Sequence, residues 1–477
     1  MSKETKDEKL QNVLTHEFKN AWQTLPQKGT KDLFKFADEY KCFLDDGKTE
    51  RECSDIILKH AKDHGFNDIN KLINSGKKLK SGEKIYAVNR DKSIALFVIG
   101  KEDIEKGVNI IGSHIDSPRL DVKVNPLYED TELAFLKTHY YGGIKKYQWT
   151  AMPLALHGVI IDEDGRTIKI NIGEDSKDPV LYITDILPHL AKDQNEKKIA
   201  DAIPGEKLNV LIGSIPYGDE KIKNRVKFNI LRILNEKYGI REIDFTNSEL
   251  EIVPAGKARD VGLDRGLISA YGHDDRVCTF AGLKGILEIE NPDKTAVLYC
   301  ADKEEVGSIG NTGAQSDFLI NTIAELIALQ TDYSDLLVRR ALNNSKVLSA
   351  DVSVAQDPNY PHITEKLNTG YTGKGLQITK YTGSRGKSGC SDANAEFVAQ
   401  VSRLFTKKKV AWQIGELGKV DQGGGGTIAF ILANANADVV DCGVPVLSMH
   451  APYEVISKID LYMAYKGYSE FLKNKFN

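Results

Sequence analysis

The 477-residue sequence has no apolar run of about eighteen residues, so nothing in it reads as a membrane-spanning helix. A targeting signal is missing too. The opening stretch, MSKETKDEKLQNVLTHEF, is polar and mixed in charge, with neither the apolar core of a signal peptide nor the acid-poor composition of a transit peptide. Charge of one sign is also lacking. Lys and Arg number 64 against 68 Asp and Glu, a net −4, which withholds the strongly basic surface of a general nucleic-acid binder. The local run EKIKNRVK (220–227) leads into an amphipathic pattern and reads as a solvated helical face. Cysteine is scarce: six, at 42, 53, 278, 300, 390 and 442, with no CxxC and no regular spacing. That excludes a disulfide framework and a thiolate zinc site. Cys300 and Cys442 sit in apolar runs and read as small packed hydrophobes. Internal repeats are absent, and Gly423–Gly426 is the one low-complexity feature, a tight loop into a helix starting near Thr427. These absences predict a cytoplasmic protein with no nucleic-acid partner and no membrane partner.

The length exceeds one comfortable hydrophobic core, so at least two domains are expected. Residues 31–44 place Leu33, Phe34, Phe36, Ala37 and Tyr40 near one helical face. Thr49 and Glu52 form a capping box for a second helix ending near Gly65. Short apolar runs then read as buried strands: IALFVIG (94–100), VNIIGSH (108–114), TAVLYCAD (295–302), KVLSAD (346–351) and ADVVDCG (437–443). Helical patterns at 318–330 and 393–405 lie between them. The alternation predicts an α/β fold, a mixed sheet flanked by helices. From about 125 to 255 the pattern changes to short alternating strands such as TIKINIG (167–173) and LNVLIGS (208–214). One helix interrupts them, with Ile222, Val226, Ile230, Ile233 and Leu234 at helical spacing. Residues suited to metal binding lie on both sides of this stretch and almost none within it. A β-rich domain (125–255) inserted between two parts of one α/β domain (1–124 and 256–477) is therefore predicted.

The candidate chemistry sits where apolar runs stop. His114 and Asp116 close one run at strand spacing, so the aspartate can orient the imidazole. YGHDDRV (271–277) carries the adjacent carboxylates Asp274 and Asp275, and a carboxylate is able to bridge two cations. CADKEEVGSIG (300–310) puts Glu304 and Glu305 just past a buried strand, one suited to bind metal and the other to act as general base. Asp351 ends KVLSAD, and His450 ends VPVLSMH. Each motif alone is weak: a strand-end histidine or a solvated acidic pair is common. Their shared context is the signal, because functional groups gather at the carboxyl ends of strands in open α/β sheets. Carboxylates and imidazoles without thiolate suit a catalytic Zn²⁺, Mn²⁺ or Co²⁺ pair.

The series SHIDSPRLD, YGHDDR, DKEEVGS, SADVSVAQDPNY and SMHAP resembles the aspartyl aminopeptidase family of co-catalytic zinc peptidases, and its bacterial branch most closely. The resemblance runs across nearly the whole chain and includes YYGGIKKYQW (140–149), ILPHL (186–190) and GKVDQGGGGTIA (418–429). It implies a metalloaminopeptidase releasing N-terminal residues, acidic ones among them, from peptide substrates. His114 and Asp351 would hold mainly one of two divalent ions, Glu305 and His450 the other, with Asp274 bridging. Glu304 would be the base and Asp116 the orienting group. The insert would mediate dimers, and dimers would build a tetrahedral dodecamer. His189 of a neighbouring subunit would then complete the site, contacting the substrate or a metal, and Lys374 would pair with an acidic substrate side chain. Two motifs depart from the family. His273-Asp274-Asp275 stands for Leu-Asp-Asn, and Asp357-Pro358-Asn359-Tyr360 for His-Pro-Asn-Tyr. The rivals are a related metal-dependent deacylase or carboxypeptidase, and a catalytically silent cargo or scaffold protein. The intact Glu304 and five ligand positions count against the silent one.

Overall fold

The computed structural model describes residues 5–383 and 385–476. Its centre is a nine-stranded sheet in the order Asn67–Asp68, Lys84–Asn89, Ser93–Val98, Ala296–Ala301, Asn109–His114, Lys346–Ser349, Asp438–Gly443, Leu376–Thr379 and Trp412–Ile414. The four middle strands are mutually parallel. Ser93–Val98 and Leu376–Thr379 run against their inner neighbours, so the sheet is mixed.

Composition explains the centre. NIIGSH and AVLYCA are buried throughout, and a strand apolar on both faces requires a helical layer on each. The period of two divides the side chains. Ile111, Leu298, Leu348 and Val440 join one core with Phe280 and Leu283. Ile110, Val297, Val347 and Val439 join the other with Ile323 and Leu326. Each such side chain stabilises the fold by roughly 1.5–3 kcal/mol. The helix Glu50–Asp63 packs on the first core. It starts at Thr49, whose hydroxyl accepts the Glu52 N–H while the Glu52 carboxylate accepts the Thr49 N–H. That box contributes about 1 kcal/mol.

The chain leaves this sheet after His114 and returns to it at Ala296. Between them, seven strands from Arg119–Asp130 to Ser248–Pro254 form a second sheet. Its own core gathers around Leu156, Ile170 and Leu250, under the helix Arg225–Tyr238. This is the β-rich insert, and its first strand begins ahead of position 125. Ile222 lies outside the helix, because Asn224 takes left-handed backbone (φ 49°) and caps it. A third, five-stranded sheet is Arg259–Val261, Leu267–Ala270, Glu454–Ser457, Pro445–Leu447 and Ser353–Val354. Two central strands feed it directly: Lys346–Ser349 runs on to Ser353–Val354, and Asp438–Gly443 to Pro445–Leu447.

Charged contacts tie insert to α/β part. His157 Nδ1 lies 2.8 Å from Glu52 Oε1, and its Nε2 3.2 Å from Glu174 Oε1. Arg51 Nε donates to Glu249 at 2.8 Å. Among the described residues no helix is long and apolar enough to cross a membrane.

Candidate metal centre

The parallel strands deliver one half of the centre at their carboxyl ends. His114 ends Asn109–His114, Glu304 and Glu305 follow Ala296–Ala301, and Asp351 follows Lys346–Ser349. The other half arrives from the small sheet. Asp274 lies at the start of the helix His273–Leu287, just past Leu267–Ala270, and His450 follows Pro445–Leu447. Strand ends of two sheets, rather than one, therefore face each other.

One oxygen of Asp274 lies 3.1 Å from His114 Nε2, and the other 3.3 Å from His450 Nε2. His450 Nε2 is also 3.5 Å from Glu305 Oε2, while His114 Nε2 is 3.8 Å from Asp351 Oδ1. The opposite ring nitrogens fix the tautomers. His114 Nδ1 is 3.0 Å from the carbonyl oxygen of Asp116 and 3.3 Å from its carboxylate. His450 Nδ1 is 2.9 Å from the carbonyl oxygen of Gly143. A carbonyl only accepts, so each Nδ1 carries the hydrogen. Each Nε2 is left to face carboxylate oxygens, the setting of a metal-ligating histidine.

The electrostatics show a shortage of positive charge. Burial pushes Glu304 up to about 8, and the charges of Asp351 and Asp116 add to it. Burial, with Asp274, raises Glu305 well above the carboxylate range, and burial raises Asp351. Burial favours neutral imidazoles, yet the surrounding carboxylates outweigh it, lifting His114 well above its ordinary value and His450 to about 10. Burial also opposes ionisation of Asp274, but the hydrogen bonds of His114 and His450 win and lower it. Glu305 Oε1 is buried without a partner. Divalent cations with oxygen and nitrogen ligands fit such a set, since buried carboxylates need compensating charge. Two overlapping groups offer ligand atoms within 4.8 Å of one another: His114 with Glu304 and Asp351, and His114 with Asp274 and Glu305.

A cavity of about 440 Å³ opens over these groups, walled by Thr379, Leu417, Gly424–Gly426, Phe430 and Met449. The glycine run thus shapes the cavity, and the helix after it starts at Ala429. Beneath, the Asp116 carboxylate accepts the backbone N–H groups of Glu304 and Glu305 at 3.1 and 3.2 Å. Glu454 was not singled out by sequence. Its carboxylate accepts the backbone N–H of Asp274 at 2.9 Å and of His450 at 2.7 Å. A glutamate opening the apolar strand EVIS was the available signal. Asp441, buried in the cavity wall and bonded by Thr427 at 2.7 Å, carried the same kind of signal.

Burial and the charge of Asp351 raise Asp275 well above its ordinary range. His273 is held between the Tyr40 hydroxyl (2.8 Å) and the Ile268 carbonyl (3.1 Å), and burial keeps its pKa down at about 3. It is a neutral core residue. Two candidates stand apart from the cavity lining. His189 is exposed in the turn Pro188–Leu190. The Lys374 ammonium lies 4.8 Å from the centre of the Tyr371 ring, on a loop whose Gly373 and Gly375 N–H groups donate to Asp460 at 2.6 Å each.

A carboxylate flanked by two imidazoles, with further carboxylates beside a cavity, is a ligand set of the kind that metal-dependent hydrolases use. Comparison with known proteins narrows the class. Residues 43–472 match the aminopeptidase I zinc metalloprotease (M18) family. A relative from Clostridium acetobutylicum, "Probable M18 family aminopeptidase 1", is 54% identical over 98% of this chain and 100% of its own length. The crystal structure of an M18-family aminopeptidase from Thermotoga maritima is 43% identical, covers 96% of this chain and 100% of its own, and superposes with a TM-score of 0.91. That of aminopeptidase I from Clostridium acetobutylicum is 51% identical, covers 97% and 100%, and also gives 0.91. The chain belongs to the M18 family of zinc aminopeptidases. It is a metal-dependent peptide hydrolase with two zinc ions as its cofactor.

Proposed function

We infer that His114 and Asp351 would hold one ion and Glu305 and His450 the other, with Asp274 shared between the two. The observation carrying this is that the two oxygens of Asp274 face different imidazoles, at 3.1 and 3.3 Å. When bound, the ions supply Lewis-acid chemistry, lowering the pKa of water toward neutrality and polarising a peptide carbonyl. Glu304 takes the proton of the attacking water and returns it to the leaving amine. Asp116 fixes His114 and keeps Glu304 and Glu305 in register through their backbone N–H groups. The free α-amine of a peptide sits against the carboxylates of the centre, a match that a blocked N-terminus forfeits. Hydrolysis therefore starts at the amino end.

The same proposal makes the protein a homo-oligomer, with residues 125–255 forming dimers between the two parts 1–124 and 256–477, and dimers building a tetrahedral dodecamer. His189 then reaches a neighbour's cavity and stabilises the oxyanion. Its surroundings support this: Ile186, Leu187 and Leu190 are 46%, 49% and 67% exposed, an apolar patch suited to cover by another chain. A cytoplasmic location accords with six free cysteines, one of them the exposed Cys42.

The test is a panel of peptides with free and acetylated N-termini, assayed on protein of known zinc content. Stepwise release from free N-termini only is expected. Hydrolysis of acetylated peptides or release from the carboxyl end would make it a deacylase or carboxypeptidase, and no turnover with both ions bound would make it a silent scaffold. Preference for Asp or Glu first residues supports Lys374 as their partner; preference for neutral ones rejects it.

A further inference from the structure

The ligands above come from the large and small sheets, but the insert reaches the centre as well. Its strand Leu133–Tyr141 ends there. The Tyr141 hydroxyl donates to Asp116 Oδ2 at 2.8 Å. Gly142 (φ 75°) lies so close to Glu305 that a Cβ on it would stand 3.3 Å from Cβ and Oε2 of that glutamate. Gly143 gives its carbonyl to His450 Nδ1 at 2.9 Å. Three successive residues, none of them a proposed ligand, thus touch three different parts of the centre.

The hydroxyl matters because of what else Asp116 does. Oδ1 accepts the Glu304 N–H and faces His114 Nδ1, while Oδ2 accepts the Glu305 N–H and the Tyr141 hydroxyl. The hydroxyl is the nearest donor to Oδ2, and a buried carboxylate that loses a donor turns to find another. Any turn of Asp116 moves the ligand His114, the base Glu304 and the ligand Glu305 together. Tyr141 is itself fixed. The Arg119 guanidinium lies 3.9 Å from its ring centre. Asp121 at 2.9 Å, Glu251 at 3.1 Å and Glu50 at 3.3 Å pin that guanidinium. Glu50 belongs to the α/β part, so the stack spans both domains.

We propose that Tyr141–Gly142–Gly143 is a strap by which the insert positions both halves of the metal centre. Tyr141 is a positioning residue acting through Asp116, and Gly143 acts on His450. The proposal rests on the two-ion reading for what is positioned. Tyr141→Phe removes only the hydroxyl and is made in the full-length protein. Zinc affinity by competition with a chromogenic chelator, and the visible spectrum of the Co²⁺-substituted protein, report on the centre without turnover. The expected result is zinc binding about 10–100-fold weaker, an altered Co²⁺ spectrum, and kcat reduced by a similar factor with KM within about twofold. Gly142→Ala, which presses a methyl on Glu305, is expected to weaken one ion more than the other, and it stands alone if Tyr141→Phe does not fold. Wild-type affinity, spectrum and kcat in the variant that folds overturn the strap. Two ions bound without peptide turnover in the wild type would sink the aminopeptidase mechanism instead, while the affinity and spectral comparison still decides the strap.

Discussion

Glu304 and Glu305 are chain neighbours that both line the cavity but differ in exposure. The Glu304 side chain keeps 15% of its surface, whereas that of Glu305, which faces His450, keeps 3%. The left-handed turn at Lys303 (φ 65°) follows the strand, and both glutamates come within reach of His114. Glu304→Gln keeps the shape and loses the basicity. It is expected to retain both ions by elemental analysis and to lower kcat by about 10²–10⁴; substantial turnover by the metal-loaded variant removes Glu304 from the role of base. Glu454 acts on backbone rather than on ions. Glu454→Gln turns one of its two acceptors into a donor facing an N–H. Zinc affinity is expected to fall by about tenfold or more, read by chelator competition, and an unchanged affinity would make Glu454 a bystander.

Strands with apolar groups on both faces announce themselves, and the residues ending them were legible for that reason. His114, Glu304, Glu305 and Asp351 follow runs whose every position is buried or nearly so. The small sheet was only partly legible: the apolar run VPVLSMH marked the approach to His450, but no sheet could be read around it. Its strands are three or four residues long where they carry Asp274 and His450, too short for a period to show. Glu454 opens an equally short strand, EVIS, and that single cue was too faint to set a structural glutamate apart from a surface one. Ties between elements hide equally well, because the partners are distant in sequence. His157 of the insert sits between Glu52 and Glu174, and although burial opposes its charge, those carboxylates raise it above the ordinary value of 6.5. A histidine with a raised folded pKa adds stability that is full below 6.5 and disappears as pH climbs through the folded value. His157→Gln is therefore expected to destabilise by about 2 kcal/mol at pH 6 and by less at pH 9, further along the rise through the folded value. Thermal melts at the two pH values check it, and equal losses at both would show that charge is not what ties the domains.

The insert was visible as a change of rhythm between 125 and 255, but its reach was not. Sequence gave no sign that a strand starting at Arg119 and a glycine pair after Tyr141 would touch the centre, because such contacts depend on how whole sheets stack. Assembly is the next level, and it has its own test. Chains carrying His189→Ala and chains carrying Glu304→Gln, each nearly inactive alone, are co-assembled from unfolded mixtures. If His189 serves a neighbour, about a quarter of wild-type activity is expected to return, since half of the pairs are mixed and one site in each is intact. No recovery restricts His189 to its own subunit. The topology of the central sheet also bears on the life of the polypeptide before assembly. Asn109–His114 has both of its neighbours, Ala296–Ala301 and Lys346–Ser349, far downstream, and His450 comes later still. During synthesis a centre built on the proposed ligands would therefore stay incomplete until the chain has been made past His450. A copy that stops short of His450 would, on that ligand set, be proteolytically silent.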